Sequence, residues 1–287
     1  RGLRGEEHLK HSTEHLEDAV VDAIRSLTQT KVEKIAFLEG HGELDERYVY
    51  DLTQALAQYY QVDRGVLGLQ TGVLDAYKVV IIADPQTAFS ETDKYILDQY
   101  LMQGGSILWV VNGVQFSDDY LSTQGMTPIV ALDLNINDML FRYGVRVNHG
   151  LVQDLQCMPV PVDVSQDASQ PNWQPMPWTY APMLLTSQAS PITRNVAQVS
   201  ATMASAVDMV GGEDGLKKEV LLATSSASKL TGVPAKVDLS LGVDDEQSFA
   251  YVQNALKKLG IIDKLREQGM QGGDTVIIKD IAFDYEE

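Results

Sequence analysis

The chain has 287 residues, 44% of them hydrophobic and 22% charged, a composition that fits one large or two modest folded domains and excludes a disordered or collagen-like polymer. Its 40 acidic residues outnumber 22 basic ones, giving a net charge of -18 and a pI near 4.6, so nucleic acid and anionic lipid are excluded as partners by repulsion. A single cysteine, Cys157, rules out an intrachain disulfide and a cysteine-rich metal site, and the longest apolar runs fall far short of the ~20 residues that cross a bilayer.

The opening "RGLRGEEHLKHSTEHLEDA" has neither an initiator Met nor a signal-like apolar region. A fragment or processed form is expected, with any membrane anchor in segments outside the chain. Leu16, Val20, Ile24 and Leu27 repeat at helical spacing, so residues 1–30 are read as a lead-in helix. "EKIAFLEGHGE" is a short buried strand ended by glycines, and "LDERYVYDLTQALAQYY" a helix with Val49, Leu52, Leu56 and Tyr59 on one face. "KVVIIADP" is a second strand, stopped at Pro85. A helix follows, with Ser90 as N-cap, Asp93 three residues on and Gly104-Gly105 as its stop. "SILWVVNG" is the next buried strand. Continuous apolar strands alternating with amphipathic helices predict an α/β fold, a mostly parallel sheet with helices on both faces.

"INDMLFRYG" is a further short helix, leading to a strand at "VRVNHGLVQD". Six prolines between Pro159 and Pro182, with Trp173, Trp178 and Tyr180 among them, predict an extended loop at 157–182, because proline denies the backbone donors a sheet interior needs. Strand-like segments return at "KKEVLLATS" and "PAKVDLSL". The α/β domain is expected over 31–243. Residues 244–287 are read as a small α+β appendage of two helices and two strands, with Phe249, Val252 and Leu256 on the face of its first helix.

In an open parallel sheet, ligands bind at the carboxyl ends of strands. Those ends carry Gly40, His41, Gly42 and Glu43, then Asp84, then Asn112, which together form the candidate ligand crevice. The competing reading of Gly-His-Gly-Glu is a tight strand-to-helix turn whose acidic residues favour a helix N-terminus. No P-loop or dinucleotide fingerprint is present, so no cofactor is expected. No nucleophile elbow surrounds Cys157, so no catalytic residue is assigned. His8, His11 and His15 share a helical face but lack a fourth ligand, and no metal site is assigned. Trp173, Trp178 and Tyr180 are candidate partner contacts; the alternative packs both tryptophans in the core.

The segments "IRSLTQTKVEKIAFLEGHGELDE", "FSETDKYILDQYLMQGGSILWVVNGV", "LNINDMLFRYGVRVNHGLVQDLQC" and "SPITRN", in this order, resemble the GldG family of gliding-motility-associated ABC transporter components, over residues 12 to 241. The resemblance implies a membrane-anchored, substrate-binding-like protein. Its large part would lie on the periplasmic face of the bacterial inner membrane, beside permease and ATPase subunits. It also implies a class I glutamine amidotransferase-like, flavodoxin-like layer without the catalytic residues, similar to an N-terminal domain of an intraflagellar transport subunit. From about 247 to 287 the tail resembles the C-terminal domain of Obg-type GTPases, while GTPase core motifs are absent. The expectation is a non-enzymatic binding component of a transporter, against the alternatives of an active amidotransferase or hydrolase and of a sugar or peptide receptor. Oligomeric state is left open.

Overall fold

The computed structural model describes residues 16–28, 32–163, 165, 172–211, 215–239, 264–266, 275–278 and 281–284. The chain divides between Val111 and Asn112 into two compact units, a boundary inside the segment expected to be one α/β domain.

The first unit opens with α1, Leu16–Thr28. Its apolar residues Leu16, Val20, Ile24 and Leu27 recur at the expected spacing, and all four are exposed. Next come β1 (Lys34–Glu39), a 3-10 turn (Glu46–Val49), α2 (Tyr50–Ala57), β2 (Gln61–Val66), β3 (Tyr77–Ala83), α3 (Glu91–Met102) and β4 (Ser106–Val110). The four strands form one parallel sheet in the order β2-β1-β3-β4. Ile35, Phe37, Val49, Ile81 and Ala83 make its core, each large side chain contributing roughly 1.5–3 kcal/mol by leaving water. Leu52, expected on the inner face of its helix, is instead exposed, while Val49 and Leu56 pack inward. At the far end of α3, Gly105 makes room for Tyr100, since a Cβ there would lie 2.3 Å from the ring. The Tyr100 hydroxyl donates to the Tyr77 carbonyl at 3.0 Å, tying helix to sheet.

Parallel pairing stops at β4. The second unit contains β5 (Val114–Gln115), α4 (Asp118–Gln124), β6 (Met126–Ala131), α5 (Asn137–Arg142), β7 (Val145–Asp154), β8 (Cys157–Asp163), β9 (Trp173–Thr186), β10 (Gln198–Ser200), β11 (Ser205–Met209), β12 (Leu222–Ala223), β13 (Ser228–Gly232) and β14 (Ala235–Asp238). Every strand pair among them is antiparallel. Val114, Leu121, Ile129, Leu151, Trp178, Tyr180, Met203 and Val237 form the core of this unit. In the tail, β15 (Thr275–Ile278) and β16 (Ile281–Asp284) pair as an antiparallel hairpin. His8, His11, His15, Phe249, Val252 and Leu256 lie outside the described residues.

The segment expected as a Pro/Trp loop is a two-stranded ribbon. Pro159 faces Pro177 and Pro161 faces Pro175 across the β8–β9 ladder. In an antiparallel pair only alternate residues direct their N–H at the partner strand, so prolines two apart fit the positions whose N–H would point away. The rule that proline breaks a sheet therefore does not apply, and both outer edges of this ribbon lose donors that could recruit another strand.

Candidate functional site

The glycine turn after β1 holds a buried polar cluster. Gly40 and Gly42 take φ of 112° and 75°, conformations that a side chain disfavours, and so swing His41 and Glu43 back beneath the turn. His41 is 8% exposed and the Glu43 side chain 2%. His41 Nδ1 lies 3.2 Å from Glu43 Oε1, and Nε2 lies 3.4 Å from Asp93 Oδ2 on α3. Glu43 Oε2 accepts the His41 amide at 2.7 Å, and the His41 carbonyl accepts the amides of Gln86 and Thr87 at 2.7 and 2.9 Å. The imidazole stacks on Phe89, with centroids 3.8 Å apart and planes 12° apart, and Phe89 meets Trp109 edge-on.

Asp93 has two tasks. Its Oδ2 accepts the Ser90 amide at 3.0 Å and the Ser90 hydroxyl at 2.6 Å, while its own amide donates to Ser90 Oγ, completing the capping box expected from the sequence. Burial pushes the Asp93 carboxyl up, but the Ser90 hydroxyl and amide, and then His41, outweigh it and hold the group below the ordinary carboxylate range. Sequence reasoning found Asp93 as a cap and missed it as a His41 partner. The two are 52 positions apart, and no local pattern carries that pairing.

Asp84 follows β3 with φ of 52°, its amide bonded to the Val110 carbonyl at 2.7 Å, so it lies on the same edge of the parallel sheet as His41. Asn112 belongs to the second unit. There its Nδ2 donates to the Met203 carbonyl at 2.8 Å and its Oδ1 accepts Ser205 Oγ at 2.5 Å, so its amide is committed to holding that unit's fold. At the amino ends of β1 and β3, opposite His41, a hollow of about 400 Å³ is lined by Glu33, Lys34, Asp75, Tyr77 and Lys78. Among the described residues no group of three or more His, Cys, Asp or Glu side chains is placed to hold a metal ion, and no helix is long and apolar enough to cross a membrane.

The aromatic trio separates by parity. On the ribbon, even-numbered Trp178 and Tyr180 point inward and are 2% and 4% exposed; Trp178 Nε1 donates to the Asp238 carbonyl at 3.1 Å. They are core residues rather than surface contacts, because the period-two alternation assigns them to the face that Met158 and Val160 pack against. Trp173 lies on the outward face with the exposed Pro159, Pro161, Pro175 and Pro177, and is itself 61% exposed.

Cys157 is half-buried at the root of the ribbon. Burial, reinforced by the nearby Asp154 charge, pushes its thiol up, the opposite of what a nucleophile needs. Iodoacetamide should therefore label it more slowly at neutral pH than an unfolded cysteine peptide, with the rate rising only on the alkaline side. Thiolate-like labelling at neutral pH would contradict this placement.

Residues 33–258 match the family model described as an ABC-type uncharacterized transport system. The chain belongs to this family. Over residues 238–285, the transport-system family member also matches a domain of unknown function, DUF1967. It is 51% identical over 55 residues to GTPase Obg of Caldicellulosiruptor saccharolyticus, and 50% over 50 residues to GTPase Obg of Ruminiclostridium cellulolyticum. Those stretches are 19% and 17% of this chain, and span only 13% and 12% of the relatives. A solved chain, the mmIFT52 N-terminal domain, superposes with a TM-score of 0.47 at 17% identity, covering 83% of this chain and 100% of that one.

Proposed function

We propose that the chain is a non-enzymatic, partner-binding component of an ABC transport system of the GldG kind. In this reading it works at the periplasmic face of the inner membrane, held there by segments outside the chain, and contacts permease or ATPase subunits. Membership of the transport-system family supports the transporter role. The observation that favours partner binding is the outward ribbon face: Trp173, 61% exposed, beside four exposed prolines on a hairpin backed by the second unit's core. Large aromatic side chains on rigid backbone lose little entropy on binding and dominate interface energetics. The Asn112, Trp178 and Tyr180 side chains are taken up inside the second unit and are unsuited to contact.

Trp173→Ala tests this reading. Permease and ATPase subunits co-purified from native membranes should fall by about tenfold or more, the scale of a single interface hot spot. Undiminished recovery with the variant would remove the ribbon face from the interface.

A further inference from the structure

The Asp93 carboxylate joins two pieces of the first unit that no backbone hydrogen bond of the capping box connects. One oxygen, Oδ2, serves the Ser90 amide and hydroxyl on the α3 side and His41 Nε2 on the β1 side. The turn in its own right is closed by Glu43, by the stack on Phe89, and by the amides of Gln86 and Thr87 on the His41 carbonyl. Among the described residues, the charged groups that meet Asp93 or flank it are His41 and, behind it, Glu43 from the turn, and the Lys94–Glu91 pair, 2.8 Å apart, on its own helix. Phe89 contributes an uncharged face.

We propose that Asp93 is a proton-sensitive clamp: its ionised carboxylate pins both the first turn of α3 and the Gly40–Glu43 turn, and neutralising it loosens the two together. Release uncovers His41 and Glu43 at the carboxyl-end edge of the parallel sheet, where α/β folds place their ligands. In the clamped state these side chains are occupied by each other. A ligand for this edge therefore gains access only when the clamp opens, whatever the ribbon in the other unit binds.

The direction follows from linkage. A carboxyl held below its ordinary range keeps its contribution above the unfolded-state value of 3.8 and loses it as pH falls through the lower, folded value. The clamp is therefore closed at neutral pH and opens in acid.

Amide hydrogen exchange on the full chain, corrected for intrinsic rates and followed by NMR from neutral pH into the carboxylate range, tests this. Gln86 and Thr87 report on the turn, and Asp93 and Lys94 on the helix. Protection should fall by about tenfold or more in both groups with a single midpoint, while Val80 and Ile82 inside the sheet stay protected. Asp93→Asn should reproduce the paired loss at neutral pH. The clamp is overturned if the two groups open at different pH, if the sheet amides open with them, or if Asp93→Asn leaves Gln86 and Thr87 as protected as in the parent.

Discussion

Trp178→Ala should destabilise the second unit by about 3–5 kcal/mol, the cost of truncating a large buried aromatic side chain. The indole is 2% exposed and sits in the cluster with Val114, Ile129, Leu151, Met203 and Val237, so its removal leaves a cavity that β-sheet neighbours fill poorly. It also deprives the Asp238 carbonyl, on β14, of the Nε1 donor 3.1 Å away. Trp173→Ala, five positions earlier on the same strand, should change stability by no more than about 0.5 kcal/mol, since that side chain faces solvent. Urea unfolding followed by far-ultraviolet circular dichroism measures both. Equal destabilisation by the two substitutions would contradict the two-faced ribbon.

Asp154→Ala should cost about 2–6 kcal/mol, from two backbone N–H groups orphaned at about 1–3 kcal/mol each. The carboxylate is fully buried at the end of β7. Oδ1 accepts the Gln156 amide at 2.9 Å and the Ser225 hydroxyl at 2.5 Å, and Oδ2 accepts the Ser225 amide at 2.7 Å. It thereby anchors the loop before β13 to the start of the ribbon. Asp154→Asn keeps one acceptor oxygen but directs an amide group at a donor, so its cost should be intermediate. The same denaturant series ranks the three proteins; an alanine variant as stable as the parent would show that Asp154 carries no such load.

Two strands of the parallel half, β1 and β3, were legible because they are continuous apolar runs closed by glycine or proline, "KIAFLEG" and "KVVIIADP", the pattern of a strand covered on both faces. The Ser90–Asp93 cap was legible for the same reason: its partners are three residues apart. The ribbon is hidden in the sequence because proline counts as a strand breaker unless its parity is considered. Prolines at 159, 161, 175 and 177 alternate with Met158, Val160, Met176 and Trp178, and that alternation carries the strand signal that proline content masked. The place of Asn112 after an apolar strand points to the crevice, yet its amide bonds Met203 and Ser205, more than ninety positions on. The His41–Asp93 contact is hidden in the same way, because sequence distance says nothing about which helix end meets which turn. The two family matches overlap at residues 238–258, where the two resemblances in the sequence also meet.

The outward ribbon face is proposed to meet a transporter subunit. The most direct measurement places a photo-crosslinking amino acid at position 173, and separately at position 41, in native membranes, with the adducts identified by mass spectrometry. The proposed contact predicts a permease or ATPase adduct at 173 and no protein adduct at 41. A small-molecule adduct at 41 with no protein adduct at 173 would contradict it and make the chain a receptor.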